Sequence, residues 1–299
     1  MVKNVMTCRS VRKAVLQQIA ITKKSILPII SRTRDVSTDI RKRAFTILGS
    51  KVDITLLTVE QRVQILDAGI NDRDEVVRKE CIKLIITWLQ NQENNPIKLL
   101  EFLSVTKYEK VAGDVINILL SSSEVDQNIA NDIVTDLIDK INQRKLVDAI
   151  NDEIILFFRV YLEKQMEYND DNVQNYMNIE ITEYCILIKI QIDVGASDFV
   201  LLQLLRLAEN LDLSDEAGRR VLSLLLSDLI ISPLTTAPML KQIFILVSKL
   251  HPKESNLIDF AVDALNTVFN PLEQFLVEDR ISIIEQVRSI GLFILINLF

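Results

Sequence analysis

One short pattern occurs three times in the first 90 residues: a β-branched residue, then arginine, then lysine, each within a helical stripe of apolar residues. The copies lie at 11–13, 40–42 and 77–79, with spacings of 29 and 37 residues, and aspartates precede the second and third copies. A helical unit that recurs at this length cannot bury its apolar face alone and stacks on its neighbours. The pattern therefore favours one elongated array of helix pairs over two ordinary domains.

The spacing of apolar residues is helical along almost the whole chain. Val11, Ala14 and Val15 begin the first stripe, and Ile40 and Ala44 the second, at the spacing of a half-buried helix. We expect these residues to face the stack, where small side chains permit close helix approach. Six glycines and six prolines are too few for the turns of an all-β fold. Further helices are predicted near 58–70, 76–89, 97–104, 108–122, 127–141, 145–165, 178–193, 198–210, 215–231, 236–250, 255–268 and 271–290, and a polar loop at 165–177.

Charge is distributed unevenly along the sequence. The chain carries a net charge of −7, yet residues 1–51 hold twelve Lys and Arg against two Asp, a local charge of +10. Residues 52–299 carry −17. A strongly basic end on an acidic chain indicates a local site for a polyanion such as nucleic acid. A solvated helix surface would account for the same charges without a ligand, so both interpretations stay open.

The sequence has none of the motifs that indicate catalysis, nucleotide binding or metal binding. It lacks a glycine-rich phosphate loop, a nucleophile elbow and a metal-ligand pattern, and its single histidine, His251, precedes a proline at a predicted helix end. Cys8, Cys81 and Cys185 form no CxxC pair, which favours a reducing compartment. The longest apolar stretch, Gly291–Phe299, is far shorter than the roughly 20 residues that span a bilayer. We predict no catalytic residue, cofactor, metal site, small-molecule substrate or membrane association.

Five blocks within residues 10–90 carry a specific family likeness. The Asp…Val-Arg-x-x-Ala arrangement is typical of HEAT repeats, which are helix pairs of roughly 40 residues. The blocks are Ser-Arg-Thr-Arg-Asp-Val at 31–36, Ile-Arg-Lys-Arg-Ala-Phe at 40–45, Leu-Thr-Val-Glu-Gln-Arg-Val at 57–63, Ala-Gly-Ile-Asn-Asp-Arg-Asp-Glu-Val-Val-Arg at 68–78 and Trp-Leu at 88–89. In residue type, order and spacing, the series resembles the G-type HEAT-repeat subunits of condensin. A later segment at 215–220, before a leucine-rich helix, resembles the same family less specifically.

The resemblance implies an all-α fold, namely a HEAT-repeat α-solenoid of the armadillo-like superhelical type. At roughly 40 residues per pair, 299 residues make about seven helix pairs. Residues 1–299 would form a single solenoid, with the best-defined repeats at 9–90 and less regular helix pairs at 96–299. Because members of this family are longer at both ends, we expect the chain to be an N-terminal fragment or a short form.

The resemblance also implies a non-catalytic role in mitotic chromosome condensation, in the nucleus, on chromosomes and in the cytoplasm. Members of the family bind a segment of the condensin kleisin subunit and, together with it, clamp double-stranded DNA without reading its sequence. The coiled-coil ATPase subunits and the second HEAT subunit are reached through the kleisin, and ATP hydrolysis belongs to the ATPases.

The charge map and the resemblance together point to a DNA-binding set on the basic segment. Cations at repeat-equivalent positions would align on one face of the stack, where contacts to phosphates give salt-dependent affinity without sequence specificity. The pairs at 23–24 and 32–34 are expected in turns close to the aligned positions. The predicted DNA-binding residues are Arg12, Lys13, Lys23, Lys24, Arg32, Arg34, Arg41, Lys42 and Arg43.

Structural roles compete with DNA contact for part of this set. Arg12, Arg41 and Arg78 occupy the motif position from which an arginine can bond a neighbouring repeat, so both roles stay open for the first two. Arg34 is open to pairing with Asp35. Arg78 lies among acidic residues and is left out of the DNA set. A second interpretation of the chain is a generic HEAT-repeat scaffold or adaptor whose basic face binds an acidic peptide partner.

Overall fold

The structure, a computed structural model, is entirely helical in its regular elements. It describes residues 8–146, 148–167, 179–232, 234–251, 260 and 262–263. Over these residues it contains thirteen α-helices, three short 3-10 helices and no strand, which confirms the all-α prediction. No helix of this described part is both long enough and apolar enough to cross a membrane.

The helices follow one another with short connections. The first seven are α1 (Arg9–Gln18), α2 (Lys23–Ser31), α3 (Thr38–Lys51), α4 (Val59–Ile70), α5 (Glu75–Gln90), α6 (Pro96–Leu100) and α7 (Glu109–Ser121). The other six are α8 (Gln127–Asn142), α9 (Asp152–Glu167), α10 (Ile181–Asp193), α11 (Asp198–Leu207), α12 (Glu216–Ile231) and α13 (Ala237–Leu250). The 3-10 helices are Arg32–Arg34, Ile54–Leu56 and Ala208–Asn210. The predicted helix at 271–290, most of the one at 255–268 and most of the predicted loop at 165–177 lie outside the described residues, while residues 260, 262 and 263 are helical.

The chain divides into two compact units. The first contains the described residues of 8–134 and 156–167, and the second those of 135–155 and 179–263. Helices α8 and α9 contribute residues to both units. That residues 1–299 form one solenoid stays a prediction.

The first unit is built from two rows of stacked helices. In one row α1 packs against α3 and α3 against α5, and in the other α2 packs against α4 and α4 against α7. The motif arginines all lie on the first row. Helix α4 begins with a capping box, in which the Thr58 and Gln61 side chains each accept a hydrogen bond from the other residue's backbone N–H. The side chain of Asp74 caps α5 by accepting from the Val76 N–H.

In the second unit, alternate helices pack against one another in the same way. Helix α10 packs against α12, and α11 against α13. The buried Gln191 side chain accepts a hydrogen bond from the Ile150 N–H at 2.7 Å and donates to the Asp148 carbonyl at 3.2 Å, which holds the segment before α9 against α10. His251 is the C-cap of α13, as its place before Pro252 predicted.

Two local predictions were wrong. The doublet at 23–24 does not lie in a turn but opens α2, because Thr22 and Ser25 form a capping box that starts a helix there. Ala14 and Val15 do not face the stack: Ala14 is exposed and Val15 is 37% exposed. The buried residues of α1 are instead Arg12 and Leu16, since α1 packs mainly against α3.

A close helix contact fixes the spacing of α4 and α5. Gly69 on α4 lies so near α5 that a Cβ atom there would be 2.4 Å from the Cys81 Sγ and 2.7 Å from the Phe45 Cε1. Cys81 and Phe45 are fully buried, so neither can move into solvent. Burial raises the pKa of the Cys81 thiol to about 12, and the residue packs as a small apolar group.

We expect Gly69→Ala to lower the free energy of unfolding by about 1–3 kcal/mol, because the added methyl group overpacks this contact. Gly113→Ala on α7 is the matched control, since its Cβ would meet only the Val160 Cγ2 at 3.9 Å. That change should stabilise the protein by about 0.5–1 kcal/mol through helix propensity. Urea unfolding followed by circular dichroism measures both, and equal stabilities of the two variants would contradict the packing argument.

Candidate nucleic-acid interface

The first motif arginine is bound inside the stack. The Arg12 guanidinium forms an ion pair with both carboxylate oxygens of Asp35, with Nε 2.9 Å from Oδ2 and Nη2 3.1 Å from Oδ1. The side chains are 9% and 3% exposed. Asp35 belongs to the turn that precedes α3, so this pair joins α1 to the next repeat. Of the two contacts, the one from Nη2 has the geometry of a hydrogen bond, and the one from Nε is a close charge contact.

The second motif arginine repeats the arrangement one step further along. Arg41 donates from Nε to Asp72 Oδ2 at 2.6 Å and from Nη2 to Asp72 Oδ1 at 3.0 Å, and its remaining Nη1 donates to the Asp35 carbonyl at 2.9 Å. The two side chains are 5% and 6% exposed. We call the chain of contacts Arg12–Asp35–Arg41–Asp72 the Arg–Asp ladder.

Each ladder aspartate also organises its own turn. Asp35 Oδ1 accepts from the Ser37 N–H at 3.0 Å, and Asp72 Oδ1 accepts from the Asp74 N–H at 2.9 Å. Arg78 donates to the Asp72 carbonyl at 2.6 Å, six residues before it, as Arg41 does to Asp35. The carbonyl contact thus recurs at the same spacing in successive repeats.

The carbonyl contact also recurs in the second unit. Arg219 on α12 donates to the Leu213 carbonyl at 2.6 Å, again six residues earlier, and to the Ser214 carbonyl at 3.1 Å. Asp215 caps the same helix through the Ala217 and Gly218 N–H groups. The segment at 215–220, which resembled a family block only weakly, therefore has the same local geometry as the motif copies of the first unit.

The ladder holds its carboxylates in the charged form. Burial raises the pKa of Asp35, but hydrogen bonds from the Ser37 N–H and from Arg32 and Arg12 outweigh it and leave the pKa below its ordinary value of 3.8. Burial acts on Asp72 in the same way and is outweighed by Arg41 and the Asp74 N–H, so its pKa is lowered too. The hydrogen bond to Asp72 raises the pKa of Arg41 above its ordinary value.

Ion pairs engage five of the six arginines in the basic segment. Besides the two ladder arginines, Arg32 Nη1 lies 3.1 Å from Asp35 Oδ2, Arg34 Nη2 lies 3.2 Å from Asp67 Oδ2, and Arg9 pairs with Asp39. Arg34 therefore pairs with an aspartate of α4 and not with its neighbour in sequence. We assign Arg12 and Arg41 a structural role, because a buried guanidinium that is paired with a buried carboxylate does not face solvent.

The remaining cations of the predicted set behave differently. Lys13, Lys24, Lys42 and Arg43 are exposed, and none of them forms an ion pair with another described residue. Lys24 lies in the first turn of α2. Lys23 opens the same helix. We call the four exposed residues the basic surface.

Two members of the basic surface occupy repeat-equivalent positions. Lys13 and Lys42 each follow a motif arginine, and α1 and α3 are neighbours in the same row. On α3, Lys42 and Arg43 share an exposed face with Asp39 and Ser50, opposite the buried Ala44 and Leu48. The arrangement presents cations on successive helices. In the described part of the chain, no three His, Cys, Asp or Glu side chains form a cluster that could hold a metal ion.

Comparison with known proteins finds similar proteins in three organisms, and all three have the same name. Condensin complex subunit 3 of Xenopus laevis is 30% identical over 293 residues, covering 87% of this chain and 28% of that protein. The Homo sapiens protein of the same name is 28% identical over 264 residues, covering 81% and 25%. The Schizosaccharomyces pombe protein is 26% identical over 271 residues, covering 87% and 29%. No family model matches the chain.

A solved structure matches the fold. The crystal structure of the S. pombe condensin Cnd3–Cnd2 subcomplex has a TM-score of 0.79 and 25% identity, covering 95% of this chain and 37% of the matched chain. These likenesses confirm the HEAT-repeat fold and the resemblance to the condensin HEAT subunits. The chain spans 25–29% of the length of the curated relatives it matches.

The ladder predicts an unequal response to two aspartate substitutions. Asp72→Asn should lower the free energy of unfolding by about 3–5 kcal/mol at neutral pH, because it leaves the buried Arg41 without its carboxylate. Asp67→Asn removes only the exposed pair with Arg34, whose side chains are 50–58% exposed, and should cost less than about 1 kcal/mol. Urea unfolding at pH 7 measures both, and similar losses would exclude a special role for the ladder.

The same carboxylates give an acid dependence of stability. Because the pKa values of Asp35 and Asp72 are lower in the folded protein than their ordinary 3.8, their contribution is complete above that value. It is lost as the pH falls through the lowered folded pKa values. Unfolding titrations over this range should therefore show a steeper acid loss for the wild type than for Asp72→Asn.

Proposed function

We propose that this chain, a relative of condensin complex subunit 3, is the HEAT subunit of a condensin complex and binds double-stranded DNA without sequence specificity. In this role it is non-catalytic and acts in mitotic chromosome condensation, in the nucleus, on chromosomes and in the cytoplasm. One observation carries the DNA-binding part: Lys13, Lys42 and Arg43 are exposed on neighbouring helices of one row, without ion pairs to other described residues.

The spacing of the basic surface suits a phosphate backbone. Packed helices lie about 8–10 Å apart, and phosphates of one duplex strand follow one another every 3.4 Å along the helix axis, so neighbouring helices can reach phosphates two or three apart. Flexible lysine side chains can adjust to the remaining mismatch. Contacts made only to phosphates carry no sequence information, which is the reason that we propose non-specific binding.

The proposed protein partner is the kleisin subunit of condensin. The matched structure is a subcomplex of two condensin subunits, Cnd3 and Cnd2, and this chain matches one of its chains over 95% of its own length. We propose that the chain binds a kleisin segment as that subcomplex suggests. The coiled-coil ATPases and the second HEAT subunit would be contacted through the kleisin.

The experiment that tests DNA binding is a salt titration with a fluorescent duplex. We compare the wild type with a variant in which Lys13, Lys24, Lys42 and Arg43 are all replaced by Gln. Each lost phosphate contact should reduce the slope of log K against log salt by about 0.9, so we expect a slope smaller by about 3–4 and a loss of at least tenfold in affinity. Circular dichroism checks that the variant keeps its helical content.

A control variant removes the same charge elsewhere. Lys140, Lys189, Arg220 and Lys241 are exposed residues of the second unit, and their joint replacement by Gln should leave duplex binding close to wild type. Equal losses of duplex affinity in both variants would show that the effect depends only on net charge. If the chain binds an acidic peptide but does not bind the duplex, the result would favour the scaffold interpretation instead.

The kleisin proposal makes its own prediction. Addition of the central segment of the condensin kleisin should strengthen duplex binding and shift the elution of the chain in size-exclusion chromatography. The same measurement on the four-Gln variant shows whether the basic surface also takes part in kleisin binding. Failure of the folded wild type to bind the segment would contradict the kleisin part alone.

A further inference from the structure

The third motif copy presents a different charge pattern from the first two. The residue that follows each motif arginine is lysine in all three copies: Lys13, Lys42 and Lys79. The next position is Arg43 on α3 but Glu80 on α5. Helix α5 packs directly against α3, so this reversal of charge lies beside the basic surface.

Both exposed lysines of α5 are neutralised by glutamates of the same helix. Lys79 Nζ lies 2.7 Å from Glu75 Oε1, and Lys83 Nζ lies 3.3 Å from Glu80 Oε1. On α1 and α3, by contrast, Lys13, Lys42 and Arg43 have no ion pair with any residue that the structure describes. The row thus changes from uncompensated to compensated charge between α3 and α5.

Glu80 is held in place by a contact across the two helices. Its Oε2 accepts a hydrogen bond from the Thr46 hydroxyl of α3 at 3.0 Å, and its side chain is 14% exposed. Thr46 lies one turn after Lys42 and Arg43 on α3. The carboxylate is therefore fixed at the α3–α5 boundary instead of sampling solvent, and a phosphate that approached α5 would meet it.

We propose that Glu75 and Glu80 end the DNA-binding surface at α5 and confine the duplex to the side of α1 and α3. This inference rests on the proposed function and adds the residues that set the extent of the site. The lysines of α5 alone would extend the row of cations by one repeat. The glutamates cancel them, and the hydrogen bond holds the Glu80 carboxylate against Thr46, which lies one turn after Arg43 on α3.

The test is a gain of binding. The double variant Glu75→Gln and Glu80→Gln removes both charges, and the amide at position 80 can still accept from Thr46. We expect tighter duplex binding and a salt slope steeper by up to about 1.8, which is 0.9 for each released lysine. Further replacement of Lys79 and Lys83 by Gln in the same chain should return the slope to the wild-type value.

A matched control separates this effect from net charge. Glu183→Gln with Glu216→Gln also removes two glutamates, each paired with an arginine of the second unit at 2.5 Å and 2.6 Å. This control should bind duplex like the wild type. If Glu75→Gln with Glu80→Gln gives the same affinity and slope as this control, the boundary role is wrong.

The failure of the inference and that of the proposed function are distinguishable. The proposed function is wrong if the wild type fails to bind duplex, or if the four-Gln variant binds it as well as the wild type. In either case the boundary role is wrong too. If the wild type binds and the four-Gln variant does not, while the glutamate double variant matches its control, only the boundary role is overturned. Circular dichroism melting of each variant confirms that the compared chains are folded.

Discussion

The Arg–Asp ladder is the interaction on which the rest of the first unit depends. Each aspartate is paired with an arginine of the preceding repeat and accepts a hydrogen bond from a backbone N–H group of its own turn. Arg41 also donates a hydrogen bond to a carbonyl in the turn before its own helix. A charge buried in this way is costly unless every partner is present. The ladder therefore fixes the distance between repeats and the turn inside each repeat. It also holds together the row of helices that carries the exposed cations of α1 and α3.

The ladder also explains why a basic segment yields a smaller basic surface than its charge suggests. A guanidinium is planar, weakly hydrated and able to bind a carboxylate with two hydrogen bonds, whereas an ammonium group is compact and strongly hydrated. The structure separates the two residue types accordingly: five arginines of the segment form ion pairs, two of them buried, while Lys13, Lys24 and Lys42 are exposed. Arg43 is the one arginine of the segment that joins the lysines, since it is exposed and forms no ion pair with another described residue.

The sequence was sufficient for the helices and for the motif positions, because apolar periodicity and capping residues are local. Thr58 with Gln61 caps the start of α4 and Asp74 caps the start of α5, and both are residue types that commonly begin helices. It was not sufficient for α2, whose start depends on a capping box between Thr22 and Ser25 that carries little apolar signal. Nor did it give the partner of Arg34, since Asp67 is 33 residues away and reaches it only through the packing of the fold.

Repetition gives this fold a separation between positions that carry structure and positions that are free to vary. In the second and third motif copies, the third residue after the arginine is Ala44 on α3 and Cys81 on α5, and both are fully buried. The first and second residues after the arginine face solvent or the boundary between helices. The second of them is Arg43 on α3 and Glu80 on α5, so this position accepts either charge without loss of packing. A change at these two positions alters the charge of one repeat and leaves the ladder intact. The extent of a charged surface on such a stack can therefore be set one repeat at a time, by residues that the fold does not need.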